Sequence, residues 1–389
     1  MTTDLYIAGA VRTAIGKFGG SLAELTAVDL GVIASKAAIA RTGIDPSEIT
    51  ETIFGHGRQA GGGPNSARQI SVRSGVPMSR PAMTVNQACA SGMRAITLAC
   101  QTIQCGEGEV ILAGGAESMS NTPYLLPRAR WGYRLGNGEL VDAMYKDGFQ
   151  CPIADQLMGR TAETLAEEYR ISRDEQDRYA LESQQRAAAA RERLREEIVP
   201  TPIPGKRGEV LLTDEHVRPD TTLAALAKLK PVFKEDGTVH AGNSSGITDA
   251  AGAMIVLSGA AAKRLNVEPL ARVVGWTNVG VDARIMGIGP VPATRELLKK
   301  TGLSLEQIDL LELNEAFAAQ VIACQRELKF DYAKTNVNGG AIALGHPIGA
   351  TGARIVVTLL HEMRRRKARY GLATLCVSGG MGMAILFEM

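Results

Sequence analysis

Six cysteines in 389 residues form no C-x-x-C pair and no regular spacing, which leaves neither a zinc site nor a disulfide framework to build on. No uncharged apolar run approaches the roughly 18 residues that a membrane helix needs. Neither sign of charge dominates: 43 Lys and Arg face 41 Asp and Glu, a formal net charge of +2. There is thus no broad basic field for nucleic acid, and any anion site must be local. The opening MTTDLYIAGAVRT sets Asp4 ahead of a short apolar run, unlike a secretory signal or an Arg-rich transit peptide. The expected location is the cytoplasm, where thiols stay reduced. What the chain does have is 45% apolar residues, enough for the cores of two or three domains.

The chain also repeats itself. GIDPSEITETIF, from Gly43 to Phe54, lies without a gap over GLSLEQIDLLEL, from Gly302 to Leu313, and both read as a helix end, a turn and a strand. SGMRAI from Ser91 matches TGARIV from Thr351, each opening an amphipathic helix, and TVN at Thr84 resembles NVN at Asn336. Ala113-Gly114-Gly115 lies over Ser378-Gly379-Gly380, an alignment that puts Ile111 in the place of Cys376. In the second copy the glycine turn runs straight into GMAILF, whereas its likeness GAMIVL is delayed to Gly252. The intervening residues are long enough for a small inserted domain. The predicted division is an N-terminal half of residues 1–118 and 251–270, an insert of 119–250 and a C-terminal half of 271–389. Strands alternate with helices in both halves, so the expected fold class is layered α/β with mixed sheets and pseudo-twofold symmetry. The insert carries a helical section with a capping-box pattern at Ser172 and Glu175, the loop AGNSSG, and a basic run from Arg128 to Arg134 read as a solvated or subunit-contact loop.

Pseudo-symmetry would point the helix starts at Cys89 and His346 toward one site. Cys89, in VNQACASGMRAI, sits just before a helix, where the dipole and free N–H groups favour a thiolate. On that stretch alone a small residue packed in a turn is an equal reading, and Cys100 and Cys105 read as core. His346, fixed by Pro347 among glycines, is placed as a general base, the plainer reading being a turn histidine; the glycine spacing there is not G-x-G-x-x-G, so no dinucleotide site is expected. Asn314 in NEAFAAQ reads as a helix N-cap whose amide could also hold a water or carbonyl oxygen. Cys376 ends an apolar strand beside a glycine turn.

Together, Cys-x-Ser at Cys89, NEAF at Asn314, GHPIG around His346 and the CVSGGMG run at Cys376 resemble the thiolases. GGAESMS, SRDEQD, AGNSSG and MGIGP extend the likeness in order over essentially the whole chain. The resemblance implies a thiolase-like fold: two pseudo-symmetric α/β halves with an inserted loop domain for CoA binding and subunit contacts. It implies a ping-pong Claisen condensation of two acetyl-CoA molecules, reversible as thiolysis, in the biosynthetic branch of the family. Cys89 would carry the acyl group, His346 would take its proton, and Cys376 would exchange a proton with the second substrate. His346 and a water on Asn314 would hold the enolate oxygen, and the N–H groups of Cys89 and Ser378 the tetrahedral oxygen. By the same resemblance Ser245 meets the pantetheine, Arg218 lies near the adenine, and Phe233, Met158, Met286, Ala316 and Phe317 line the tunnel. CoA is substrate and product; no tightly bound cofactor, metal, membrane or nucleic acid is expected, and the implied assembly is a homotetramer built as a dimer of dimers. Three departures stand out. Ser378 replaces a glycine and would be strained at positive φ, Leu157 replaces a histidine, and Ala225 replaces a serine. The alternatives are a thiolase for longer or branched chains and a CoA-ester-binding subunit without turnover.

Overall fold

The structure, a computed structural model, describes residues 4–389; Met1–Thr3, assigned above to the N-terminal half, lie outside the described residues. The elements that position the site run in chain order as follows. Strand β1 (Leu5–Thr13) leads to helix α1 (Ala27–Thr42), strands β2 (Glu51–Gly55) and β3 (Ala82–Val85), helix α2 (Ser91–Gln104) and strand β4 (Val110–Ser118). After the inserted helices α3 (Met158–Glu168) and α4 (Arg173–Leu194) come β5 (Thr248–Ser258), β6 (Ala271–Gly280), α5 (Pro290–Thr301), β7 (Leu310–Leu313), α6 (Ala318–Leu328), α7 (Ile348–Arg366), β8 (Tyr370–Val377) and β9 (Met381–Glu388).

The two copies share local chemistry. Helices α1 and α5 both end on a glycine in the left-handed conformation, Gly43 (φ 69) and Gly302 (φ 72), which only glycine adopts cheaply. A single 3₁₀ turn follows each, and then β2 or β7. They also share topology. In the first half β2 runs parallel to β4, which is antiparallel to β5, itself antiparallel to β1. In the second, β7 is parallel to β8, then β9 and β6 follow antiparallel. β3 extends the first half beyond β2, and a single bridge from Leu311 to Thr335 marks its place in the second. Among the described residues, the half-sheets pair where Tyr6 and Ile7 meet Arg272 and Ala271.

Observed registers correct one step of the repeat. Glu51 pairs Ile111 while its counterpart Leu310 pairs Gly371, so Ile111 lies over Gly371 and the offset is 260. Ala116, not Ile111, therefore occupies the place of Cys376. The glycine triplets matched as letters, but β4 runs on through its glycines to Ser118, whereas β8 stops at Val377 and turns.

Helices α2 and α7 form the middle layer. Met93, Ile96, Ile355 and Leu359 pack in one core with Ile111 and Met254 of the first half-sheet and Leu375 and Ile385 of the second. The outer faces are covered by α1 on one side and by α3, α5 and α6 on the other. A helix between two sheets must be apolar nearly all round, and α7 is buried from Ile348 through Leu360. At the pseudo-dyad the two helices touch backbone to backbone: a Cβ on Gly92 would stand 2.7 Å from the amide nitrogen of Ala353, and one on Gly352 would strike Met93. These matching glycines set the helix starts side by side. Ser172 and Glu175 form the expected reciprocal cap on α4. Among the described residues, no helix is long and apolar enough to cross a membrane.

Candidate active site

The turn that carries Cys89 is bent by Ala88, a non-glycine residue at φ 46, a conformation that costs of order 1–3 kcal/mol. Asn86 Oδ1 accepts from the Ala88 amide at 3.0 Å, and Ser91 Oγ accepts from the Gln87 amide at 2.9 Å while donating to the Ala88 carbonyl at 2.7 Å. Fixed in this way, Cys89 stays partly exposed on the wall of a cavity of about 720 Å³.

His346 enters the same cavity from the start of α7, its backbone amide donating to the Gly246 carbonyl at 2.9 Å. Its Nε2 is 3.3 Å from Cys89 Sγ. Its Nδ1 is 2.6 Å from Thr351 Oγ1, whose own hydrogen goes to the Pro347 carbonyl at 3.1 Å. Thr351 is thus an acceptor for Nδ1–H, and Nε2 is left bare toward the thiol. Removing that acceptor should matter: Thr351→Val is expected to slow acylation of Cys89 by about 3- to 10-fold, one neutral hydrogen bond's worth, and Thr351→Ser to restore it. Single-turnover acylation of both variants measures this.

Electrostatics differ from the sequence expectation. Burial raises the Cys89 thiol above its ordinary range, outweighing the Ser378 amide, the Arg58 charge and its own amide, which all favour the thiolate. Burial, with Arg354 and Arg58 adding to it, lowers His346 to about 3. The helix N-terminus alone suggested a thiolate, but the second half of the chain closes over Cys89 and desolvation wins. The resting pair is an uncharged thiol and an uncharged imidazole.

Cys376 is buried at the end of β8, opposite Gly382, and lines the cavity. Burial holds its thiol well above the ordinary range, with the sulfurs of Cys89 and Cys324 adding to the effect. The Ser378 amide favours the Cys89 thiolate, and Ser378 lines the same cavity. Ser378 itself is not in the left-handed region; Gly379 (φ 87) and Gly380 (φ 85) make the turn, so the anticipated strain is absent.

Asn314 is not an N-cap. Helix α6 begins four residues later with Phe317 at its cap, because the Asn314 amide is committed to the Thr374 carbonyl and the chain stays extended. The side chain is fully buried, and neither amide atom has a partner among the described residues, a cost of about 1–3 kcal/mol for each group left unmet. It does not itself line the cavity. The five residues expected along the tunnel do, Met158, Phe233, Met286, Ala316 and Phe317, and so do Ser245, Arg218 and Ser378, expected at the pantetheine, the adenine and the tetrahedral oxygen. Leu157 joins them, whereas Ala225 sits in a separate short helix. Cys100 is buried as expected, but Cys105, read as core, is exposed beyond the end of α2.

Three residues escaped the sequence reading. Thr351 sets the imidazole tautomer. Glu117, fully buried in β4, accepts from the Gly349 amide at 2.7 Å and the Arg58 amide at 3.0 Å, tying the first half to the start of α7. Arg58 is 9% exposed and lines the cavity. A charged residue inside the apolar run VILAGGAES was the visible sign of Glu117.

Comparison with known proteins gives the following. Residues 5–260 match the family model described as the thiolase N-terminal domain, and residues 267–389 the thiolase C-terminal domain. The chain is 53% identical over 386 residues to an acetyl-CoA acetyltransferase of Pseudomonas aeruginosa, covering 98% of each. The crystal structure of the Bacillus anthracis acetyl-CoA acetyltransferase superposes with a TM-score of 0.97 at 46% identity, covering 100% of this chain and 99% of that one. Human mitochondrial 3-ketoacyl-CoA thiolase in complex with CoA superposes with a TM-score of 0.96 at 45% identity, covering 99% and 98%.

Proposed function

The chain belongs to the thiolase family, and from that premise we propose that it is an acetyl-CoA C-acetyltransferase, an acyltransferase condensing two acetyl-CoA molecules reversibly to acetoacetyl-CoA and CoA. The observation that carries the reading is the His346–Cys89 contact inside a cavity also lined by Cys376.

In the first half-reaction His346 Nε2 takes the Cys89 proton as the sulfur attacks the thioester carbonyl. Because neither group is charged at rest, the ion pair forms only with substrate present, when the Cys89 and Ser378 amides can stabilise the developing oxyanion. CoA leaves with the proton from His346, and acetyl-Cys89 remains. In the second, the Cys376 thiolate removes a methyl proton from another acetyl-CoA, the enolate carbon attacks the acetyl carbonyl, the C–S bond to Cys89 breaks, and the Cys89 sulfur takes the proton held on His346. The enolate oxygen is held by His346 and, through a water, by Asn314, whose buried side-chain amide has no partner among the described residues. Cys376 must first pass its own proton to His346 Nε2, which gives the imidazole the N–H that it donates to the enolate oxygen. Acetylation of Cys89 assists, since the acetylated sulfur can no longer ionise and oppose a thiolate at Cys376.

CoA is substrate and product. Ser245 and Arg218, with the apolar wall of Met158, Phe233, Met286 and Phe317, form its route, and the insert supplies most of these residues. A cytoplasmic homotetramer fits the exposed apolar side chains of the inserted arm, among them Trp131 (83% exposed), Leu135 (99%) and Ile153 (73%). Brief incubation with acetyl-CoA followed by peptide mass spectrometry should find acetyl on the Cys89 peptide. Folded protein that never acquires it would remove the acyl-enzyme mechanism.

A further inference from the structure

Three arginines are buried, Arg12, Arg58 and Arg354. Arg12 faces Glu197 and Asp214, and Arg354 faces Glu312. Arg58 has no carboxylate within 4.0 Å of its guanidinium among the described residues. Nη1 donates to the Asp147 carbonyl at 3.0 Å, and Nε is buried without an acceptor. The buried acid Glu117 spends its oxygens on the amides of Gly349 and Arg58 itself and lies 3.4 Å from His56 Nε2. A buried cation without an anion is expensive, and this is the one such arginine that lines the substrate cavity.

Its place in the cavity argues against a role toward CoA phosphate. Arg218, the cation expected there, is exposed. Arg58 instead lies close enough to the catalytic pair for its charge to act on both Cys89 and His346. Gly148 packs against the guanidinium, where any side chain would collide with it, so the group is held by backbone rather than neutralised. Acetyl and acetoacetyl groups offer it no charge.

We propose that Arg58 is a specificity-determining residue that fits the acyl end of the cavity to acyl groups bearing a terminal carboxylate, so that the enzyme also cleaves 3-oxoacyl-CoA thioesters of dicarboxylic acids. This rests on the thiolase reading above. In that thiolysis the Cys89 sulfur attacks the 3-oxo carbon and the C2–C3 bond breaks. The released electron pair takes the Cys376 proton to leave as acetyl-CoA. The carboxylate-bearing acyl group then passes from Cys89 to the sulfur of free CoA, whose proton restores the thiols.

The test compares thiolysis of acetoacetyl-CoA, 3-oxohexanoyl-CoA and 3-oxohexanedioyl-CoA, the last two equal in chain length and differing in the carboxylate. Wild-type enzyme should prefer the carboxylate-ended substrate over its neutral counterpart. Arg58→Gln should lose about 30-fold or more in kcat/KM on that substrate relative to its loss on acetoacetyl-CoA and 3-oxohexanoyl-CoA, with Arg58→Lys between, as expected when one partner of a buried charge pair is truncated. A wild-type enzyme that favours the neutral chain overturns the proposal, and that result needs no variant. So does an Arg58→Gln loss equal on all three substrates, which would assign the charge to the thiolate instead. Failure to cleave acetoacetyl-CoA at all would sink the acetyltransferase reading separately.

Discussion

Replacing His346 by alanine should lower the rate of Cys89 acetylation at pH 7 by about a thousandfold, within the range of roughly 10²–10⁴ that a positioned base contributes. The pH dependence carries more information than the size of the loss. An ordinary imidazole would lose its basic form below about pH 6.5, but burial holds His346 at about 3. It stays neutral and able to accept a proton across the whole range from pH 5 to 8, so wild-type acetylation should be nearly flat there. The alanine variant has only the thiolate that forms spontaneously, and burial raises that thiol. Its residual rate should therefore climb about tenfold per pH unit, following the thiolate fraction. Rapid-quench acetylation read by mass spectrometry over pH 5 to 9 gives both profiles. A wild-type rate that halves near pH 6.5 would show that the imidazole titrates normally and that its burial is not effective in solution.

The contrast between Cys89 and Cys376 shows which features a sequence can disclose. Glycine caps at Gly43 and Gly302 announce helix ends by local stereochemistry, so the repeat and the order of its elements were legible. Cys89 and His346 stood out because each precedes a helix at matching places in the two copies, and the family resemblance joined them. The sign of the Cys89 shift was not legible. The helix start is local, but the burial that overrides it is a product of tertiary packing, which brings His346 within 3.3 Å of Cys89 from 257 positions away. Arg58 belongs to the same class: it lies in no distinctive motif and acquires meaning only when a distant segment packs beside it, whereas Thr351 went unread although it meets His346 only five residues away, because its place on the helix and not its spacing turns its hydroxyl to the ring. Asn314 was misread for a related reason. NEAFAAQ resembles a capped helix start, but the Thr374 carbonyl on β8 claims its backbone amide and holds the segment extended. The glycine triplets misled the alignment of Cys376, since identical letters serve a continuous strand in one half and a turn in the other.

That correction bears on the second large effect. Alanine at position 376 is the residue that the first half carries at the equivalent point, Ala116, itself buried in its strand, so this architecture accommodates the change. Cys376→Ala removes only the sulfur. It should leave acetylation of Cys89 within about threefold of wild type, because the thiol, His346 and the two amides that serve the first half-reaction are untouched. Exchange of labelled CoA into acetyl-CoA, which uses that half-reaction alone, should persist to the same degree. Condensation and thiolysis should both fall by about a thousandfold or more, since proton transfer at the α-carbon then has no partner. Cys376→Ser should recover little, because a buried hydroxyl gives up its proton still less readily than this thiol, which burial already holds well above its ordinary range. Loss of exchange together with condensation would mean that Cys376 acts during acylation, and the division of labour between the two sulfurs would have to be redrawn.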